Sequence, residues 1–140
     1  MIIYDAENQI LGRLSAKIAK QLIEGEKVTV VNIEKTVISG NPKVTTEAYL
    51  RKIHRGDPKY GPYFPKQPDG IFRRTVRGML PWYKKKGRQI FKNLKVFIGI
   101  PKELKDKKFE KVKSADAKKL KCKYIKLGDL SLALGSKRRW

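Results

Sequence analysis

The sequence predicts a single α/β domain, three layers deep, around a small and mostly parallel sheet. Three observations predict it. Residues 2–33 run strand, amphipathic helix, buried strand, the pattern of a βαβ unit with parallel strands. A chain of 140 residues is long enough for one hydrophobic core and short for two. A 40% apolar content is adequate to fill that core, so wholesale disorder is not expected.

Taken in order, Ile2-Ile3-Tyr4 is a short apolar strand. Leu11, Leu14, Ile18 and Leu22 then recur at helical spacing, with Lys17, Lys20, Gln21 and Glu24 on the other side and Gly25 placed to stop the helix. Val28-Thr29-Val30-Val31-Asn32-Ile33 is β-branched and largely apolar, as a strand buried on both faces would be. A second helix is expected from Thr45 to Arg55, ended by Gly56. Residues 55–70 hold four of the seven prolines and are too irregular for helix or strand, so they form a long loop.

Asp69 is placed to cap a third helix from Gly70 to Met79, which Pro81 ends. At 100° per residue Phe72, Val76 and Met79 share one face, and Arg73, Arg74 and Arg77 the opposite one. The run Lys84-Lys85-Lys86-Gly87-Arg88 leads into a short helix with Ile90, Phe91 and Leu94 inward, and Val96-Phe97-Ile98 reads as a further strand. Residues 1–101 are thus expected to form the core domain. Residues 102–140 form a Lys-rich extension with sparse anchors (Leu104, Phe109, Val112, Leu120), a last element carrying Leu127, Leu130, Leu132 and Leu134, and the tail Lys137-Arg138-Arg139-Trp140.

The charge is the extreme feature: 34 Lys and Arg against 13 Asp and Glu give a formal net charge of +21. Two like charges about 8 Å apart in water repel by roughly 0.5 kcal/mol, and many such pairs favour a fold that works beside a polyanion. The excess is not evenly spread. Residues 1–40 carry five basic and five acidic groups, residues 41–95 carry 15 and three, and residues 96–140 carry 14 and five. A neutral scaffold is followed by a cationic working surface.

A membrane partner is not expected, since no stretch approaches the roughly 18 apolar residues of a span and the first residues lack a signal-peptide layout. Cys122 and His54 stand alone, which rules out an internal disulfide and a four-ligand zinc site and fits a reducing cytoplasm. The sharpest constellation lies within residues 55–92. There Arg55, Lys59, Lys66, Arg73, Arg74, Arg77, Lys84, Lys85, Lys86, Arg88 and Lys92 interleave with Tyr60, Tyr63, Phe64, Trp82 and Tyr83. Guanidinium groups grip phosphate bidentately, lysines act as point charges, and rings stack unpaired bases. The plain alternative is a solvated basic face whose aromatics merely pack the loop. It suits a single lysine better than the cluster, because the three arginines share a face without an acid. Arg138 and Arg139 in the tail join the RNA-binding candidates.

Val76-Arg77-Gly78-Met79-Leu80-Pro81, Gly87-Arg88 and Leu94-Lys95-Val96-Phe97-Ile98-Gly99-Ile100-Pro101 together resemble the signature of the large-subunit ribosomal protein family numbered thirteen. Ile10-Leu11-Gly12-Arg13-Leu14, Val31-Asn32-Ile33-Glu34-Lys35 with Ile38-Ser39-Gly40, and Arg55-Gly56-Asp57 with Gly61-Pro62 resemble its upstream blocks in order. The resemblance covers most of residues 2–101. It implies a three-layer α/β fold with a four-stranded, mostly parallel sheet, binding to large-subunit rRNA beside neighbouring large-subunit proteins, and early entry into subunit assembly. It implies no catalysis, cofactor, metal or small-molecule substrate. Arg73-Arg74-Thr75 and the lysines after Pro101 are similar to the archaeal branch.

Other functions find less support. A dinucleotide site needs a glycine-rich turn after the first strand, where this chain has Asp5-Ala6-Glu7-Asn8-Gln9. A nuclease would need Asp5, Glu7, Glu34 and Asp57 to converge on a metal without any motif spacing to bring them there. His54 has no neighbouring nucleophile motif and reads as a helix-end residue. A DNA-compacting protein remains a third class, although the Gly/Pro/aromatic loop suits irregular RNA better than a uniform duplex.

Overall fold

A computed structural model describes residues 1–140. The βαβ unit is present: β1 (Ile2–Asp5), α1 (Leu11–Ile23) and β2 (Val28–Val31), with the strands parallel and Ile2 opposite Val28. α1 ends where its sequence says it should. Gly25 takes φ +97°, its N–H donates to the Leu22 carbonyl, and Glu26 N–H reaches back to Gln21, a left-handed cap that satisfies two terminal carbonyls.

Next come β3 (Val37–Ser39) and α2 (Pro42–His54). The Asn41 side chain accepts from Lys43 N–H at 3.1 Å and Pro42 sits at the first helical position, so α2 begins three residues earlier than periodicity predicts. α3 (Pro68–Gly78) also starts early, on Pro68. Asp69 is therefore not its cap but lies in the first turn, where its charge still favours the helix dipole. α4 (Lys85–Phe91) takes the basic run into its own first turns. β4 (Leu94–Val96) lies two residues before the predicted strand and pairs parallel with β2. Its ladder stops early because Asn32 takes a left-handed conformation, φ +55°, and ends β2.

The sheet order is β1-β2-β4. The expected four-stranded sheet is thus three-stranded, with only one parallel bridge beyond β1, where Glu110 exchanges backbone bonds with Ile3 and Asp5. The other two strands form a separate antiparallel pair, β3 with β5 (Tyr124–Lys126), which leads into α5 (Leu127–Ala133).

Strand side chains alternate, so the two sheet faces can be compared directly. Tyr4, Val28, Val30 and Leu94 join a core of 20 buried residues supplied also by α1, α3, α4 and α5. On the other face Ile3 and Val31 meet only Leu104, flanked by Phe97 and Phe109. The second helical layer expected there is absent. A single 3₁₀ turn at Lys102–Leu104 and an irregular strap cover that face, because a segment with so few apolar residues has no stripe to lay down as a helix.

The extension is docked along its length. Ile10 N–H donates to Ala115 O, Val112 N–H to Gln9 Oε1 at 3.1 Å, and Leu127, Leu130 and Leu134 enter the main core, whereas Leu132 is exposed. No helix is long and apolar enough to cross a membrane.

Candidate nucleic-acid interface

α3 is the element that builds the site. Ile71, Phe72 and Val76 are fully buried and pin the helix to the core. Met79, expected inward, is 42% exposed, because the helix ends at Gly78 and the 100° period no longer governs it. The opposite face carries Arg73, Arg74 and Arg77 as predicted, all half-buried.

Each guanidinium lies over an aromatic ring from a different segment. Arg73 is 5.0 Å from the Phe91 ring centre on α4, Arg74 4.7 Å from Phe64 in the loop, and Arg77 5.3 Å from Trp82. Arg74 also donates to Tyr63 O at 2.9 Å, and Trp82 packs edge-on to Phe91 at 5.3 Å. A planar cation over a ring keeps most of its N–H groups free while losing rotamer freedom. The three arginines, with Tyr63, Pro65, Gly70, Trp82 and Phe91, line an open recess of about 300 Å³.

Two glycines allow this close packing. A Cβ on Gly87 would run into the Pro81 carbonyl, so only glycine lets α4 fold against the 81–84 turn. A Cβ on Gly56 would stand 2.6 Å from Pro62 O, in a loop closed by paired Asp57 and Gly61 backbones and by the Tyr63 hydroxyl, which donates to Lys59 O at 2.8 Å.

The remaining predicted residues are exposed but not all gathered at this recess. Arg55, Lys59 and Tyr60 lie on the 55–64 loop, Tyr60 at 87% exposure. Lys84, Lys85, Lys86, Arg88 and Lys92 surround α4, with Arg88 Nε donating to Trp82 O at 3.2 Å. Lys66 precedes α3, where its carbonyl accepts from Ser131 Oγ at 2.6 Å. Arg138 and Arg139 are exposed and do not line the recess; the tail is tied beside the start of α3, where Gln67 Nε2 donates to Lys137 O at 3.3 Å, and Trp140 packs on Gly128. Lys52 was missed. It lies one helical turn before Arg55, a spacing that would have flagged it, and its Nζ stands 4.8 Å from the Tyr49 ring centre.

No cation of the site is ion-paired. The ion pairs join Lys35 to Glu7, Arg51 to Glu47, and Lys111 to both Asp5 and Glu7, so none involves a cation of residues 55–92. Burial pushes the Asp5 carboxyl up, but the Asn32 amide at 2.9 Å, Glu7 N–H and Lys111 outweigh it and hold it below the usual carboxylate range. Glu34 accepts from Gly99 N–H at 3.0 Å, and Asp57 from Lys59 N–H at 2.7 Å. These acids each serve local structure, and no three His, Cys, Asp or Glu residues gather as metal ligands.

The family model described as Ribosomal protein L13 matches residues 1–103. The chain belongs to that family. Among curated relatives, the large ribosomal subunit protein uL13 of Archaeoglobus fulgidus is 48% identical over 95% of this chain and 86% of its own length. Those of Methanosarcina barkeri (47%, covering 98% and 99%) and Sulfurisphaera tokodaii (48%, covering 96% and 94%) are alike nearly end to end. These relatives are archaeal, as the arginine pair and the lysine-rich extension implied. In this L13-family chain the family match takes in α3, α4 and the loop, and therefore every ring and guanidinium of the recess.

Proposed function

We propose that this chain is a structural constituent of the large ribosomal subunit, held in the cytoplasmic ribosome by large-subunit rRNA and by neighbouring large-subunit proteins. The observation that supports the RNA contact is the array on α3: three guanidinium groups, none ion-paired and each fixed over a ring, with donors left for phosphate. Arg55, Lys59, Tyr60, Lys66, Arg73, Arg74, Arg77, Trp82, Lys84, Lys85, Lys86, Arg88, Lys92, Arg138 and Arg139 are the proposed contacts, and the lysines after Pro101 add charge of their own. The role is architectural. Early entry into subunit assembly is what membership of the family implies.

If about eight phosphates are engaged, affinity for rRNA falls roughly 10³–10⁵-fold between 50 and 200 mM salt. The test is sedimentation of native cell extract in moderate salt. The protein is expected with the large subunit, and its recovery in free fractions alone would overturn the reading.

A further inference from the structure

A second recess lies beside the arginine array, between α2, the 55–64 loop and α3. Its volume is about 320 Å³, and its lining is Lys52, Arg55, Pro62, Phe64 and Arg74. Three cations thus face two apolar walls. Arg74 is held at 4.7 Å and Lys52 at 5.7 Å from the Phe64 ring centre, and no carboxylate lies within 4 Å of any of the three cations. The nearby acids are engaged: Glu47 pairs with Arg51 at 3.8 Å, and Asp57 accepts from Lys59 N–H.

We propose that this recess seats a single backbone phosphate of non-helical RNA, one that protrudes from its strand at a bulge or turn. The inference rests on the rRNA reading above and narrows it. Three positive charges around one concave opening favour one doubly accepting anionic group over a row of separate contacts. Pro62 and Phe64 narrow the opening and offer nothing to a base edge. The phosphates of a regular A-form duplex lie along a convex ridge, whereas a looped or bulged nucleotide can push one phosphate inward. The loop is built before RNA arrives, by the Asp57–Gly61 pairing and the Tyr63 hydroxyl bonds, so the opening is already shaped.

Full-length protein carrying Lys52→Met and Arg55→Met, both exposed and so tolerable to the fold, tests it. Binding to large-subunit rRNA is measured across a salt series. The double variant is expected to lower the slope of log affinity against log salt by about 0.7–0.9, the share of one phosphate. A fall of about twice that size means two independent contacts and overturns the proposal. No fall hands the recess to an acidic protein partner and overturns it too. If wild-type protein fails to bind rRNA, the RNA reading itself has failed. In a second measurement, a synthetic hairpin with a bulge is expected to bind wild-type protein about tenfold more tightly than its fully paired counterpart. The double variant is expected to erase that preference. A preference that survives, or is absent in the wild type, defeats the non-helical assignment.

Discussion

α1 and α3 solve the same packing problem and then present different surfaces. Each lays a buried stripe on the same side of the sheet, Leu14, Ile18 and Leu22 from one and Ile71, Phe72 and Val76 from the other. Each also points three cations outward. Lys17 and Lys20 on α1 are exposed with no ring beneath them, and Arg13 donates to Ser114 O at 3.2 Å, as Arg73 and Arg74 on α3 donate to Leu94 O and Tyr63 O. On α3 every guanidinium is half-buried over its own ring. A long side chain loses about 1.5–2 kcal/mol of rotamer freedom when it is fixed, and on α3 much of that loss has occurred before any ligand binds. The count of cations does not distinguish the two helices. How they are held does.

The inner faces should behave alike and the outer faces should not. Phe72→Ala is expected to cost about 3–5 kcal/mol and Leu14→Ala about 2–5 kcal/mol, read by urea unfolding, since both side chains are fully buried. A loss under 1 kcal/mol at either site would mean that the helix does not rely on its stripe. On the outer faces, replacing Arg73, Arg74 and Arg77 together by Gln should lower the rRNA salt slope by about 2–3 while the circular dichroism stays that of the folded protein. Lys17→Gln with Lys20→Gln should leave that slope within experimental error. Equal effects from the two sets would erase the distinction between the helices.

The βαβ unit and the arginine face were legible because each is local: a period of 3.6, a glycine stop, a β-branched run. Met79 and Asp69 were misplaced because a helix boundary depends on a proline two residues upstream and a glycine at the end, which periodicity does not weigh. β3 and β5 were invisible, being three residues each and paired across some eighty-five positions of chain. The missing second helical layer has the same origin. Sparse anchors such as Leu104 and Phe109 show that a segment touches the core without showing that it does so as a strap. In the site, the three arginines and two of their rings, Phe64 and Trp82, are legible, whereas Phe91 reads as a core residue of α4; which ring serves which arginine is a tertiary fact.

The strap offers a third, smaller effect, confined to the side of the molecule away from the arginines. Lys111 anchors it by reaching Asp5 at 3.1 Å and Glu7 at 3.8 Å. The folded Asp5 carboxyl holds its proton less readily than the unfolded one, so the unfolded chain takes up more protons as the pH falls. The stabilisation is therefore complete above the ordinary carboxylate range, near pH 4, and is lost as the pH drops through the lowered value. Asp5→Asn should flatten stability against pH over that window and leave the salt slope for rRNA untouched. A pH profile unchanged by the substitution would show that Asp5 does not anchor the strap.

The smallest expected effect bears most directly on how the arginines are held. Trp82 carries Arg77 on its face and braces Phe91, which carries Arg73. Trp82→Leu removes a platform and no charge. If fixing the guanidinium groups matters, rRNA affinity should fall by about 0.5–1 kcal/mol, roughly two- to fivefold, while the salt slope stays that of the wild type. Trp82→Phe, which keeps a ring, should recover most of the loss. The unchanged slope is the decisive reading, because slope counts phosphates and the number of cations has not changed. Should the slope fall together with affinity, Trp82 would be holding the arginines' whole surface in place, and α3 would differ from α1 by its fold and not by the ordering of its cations.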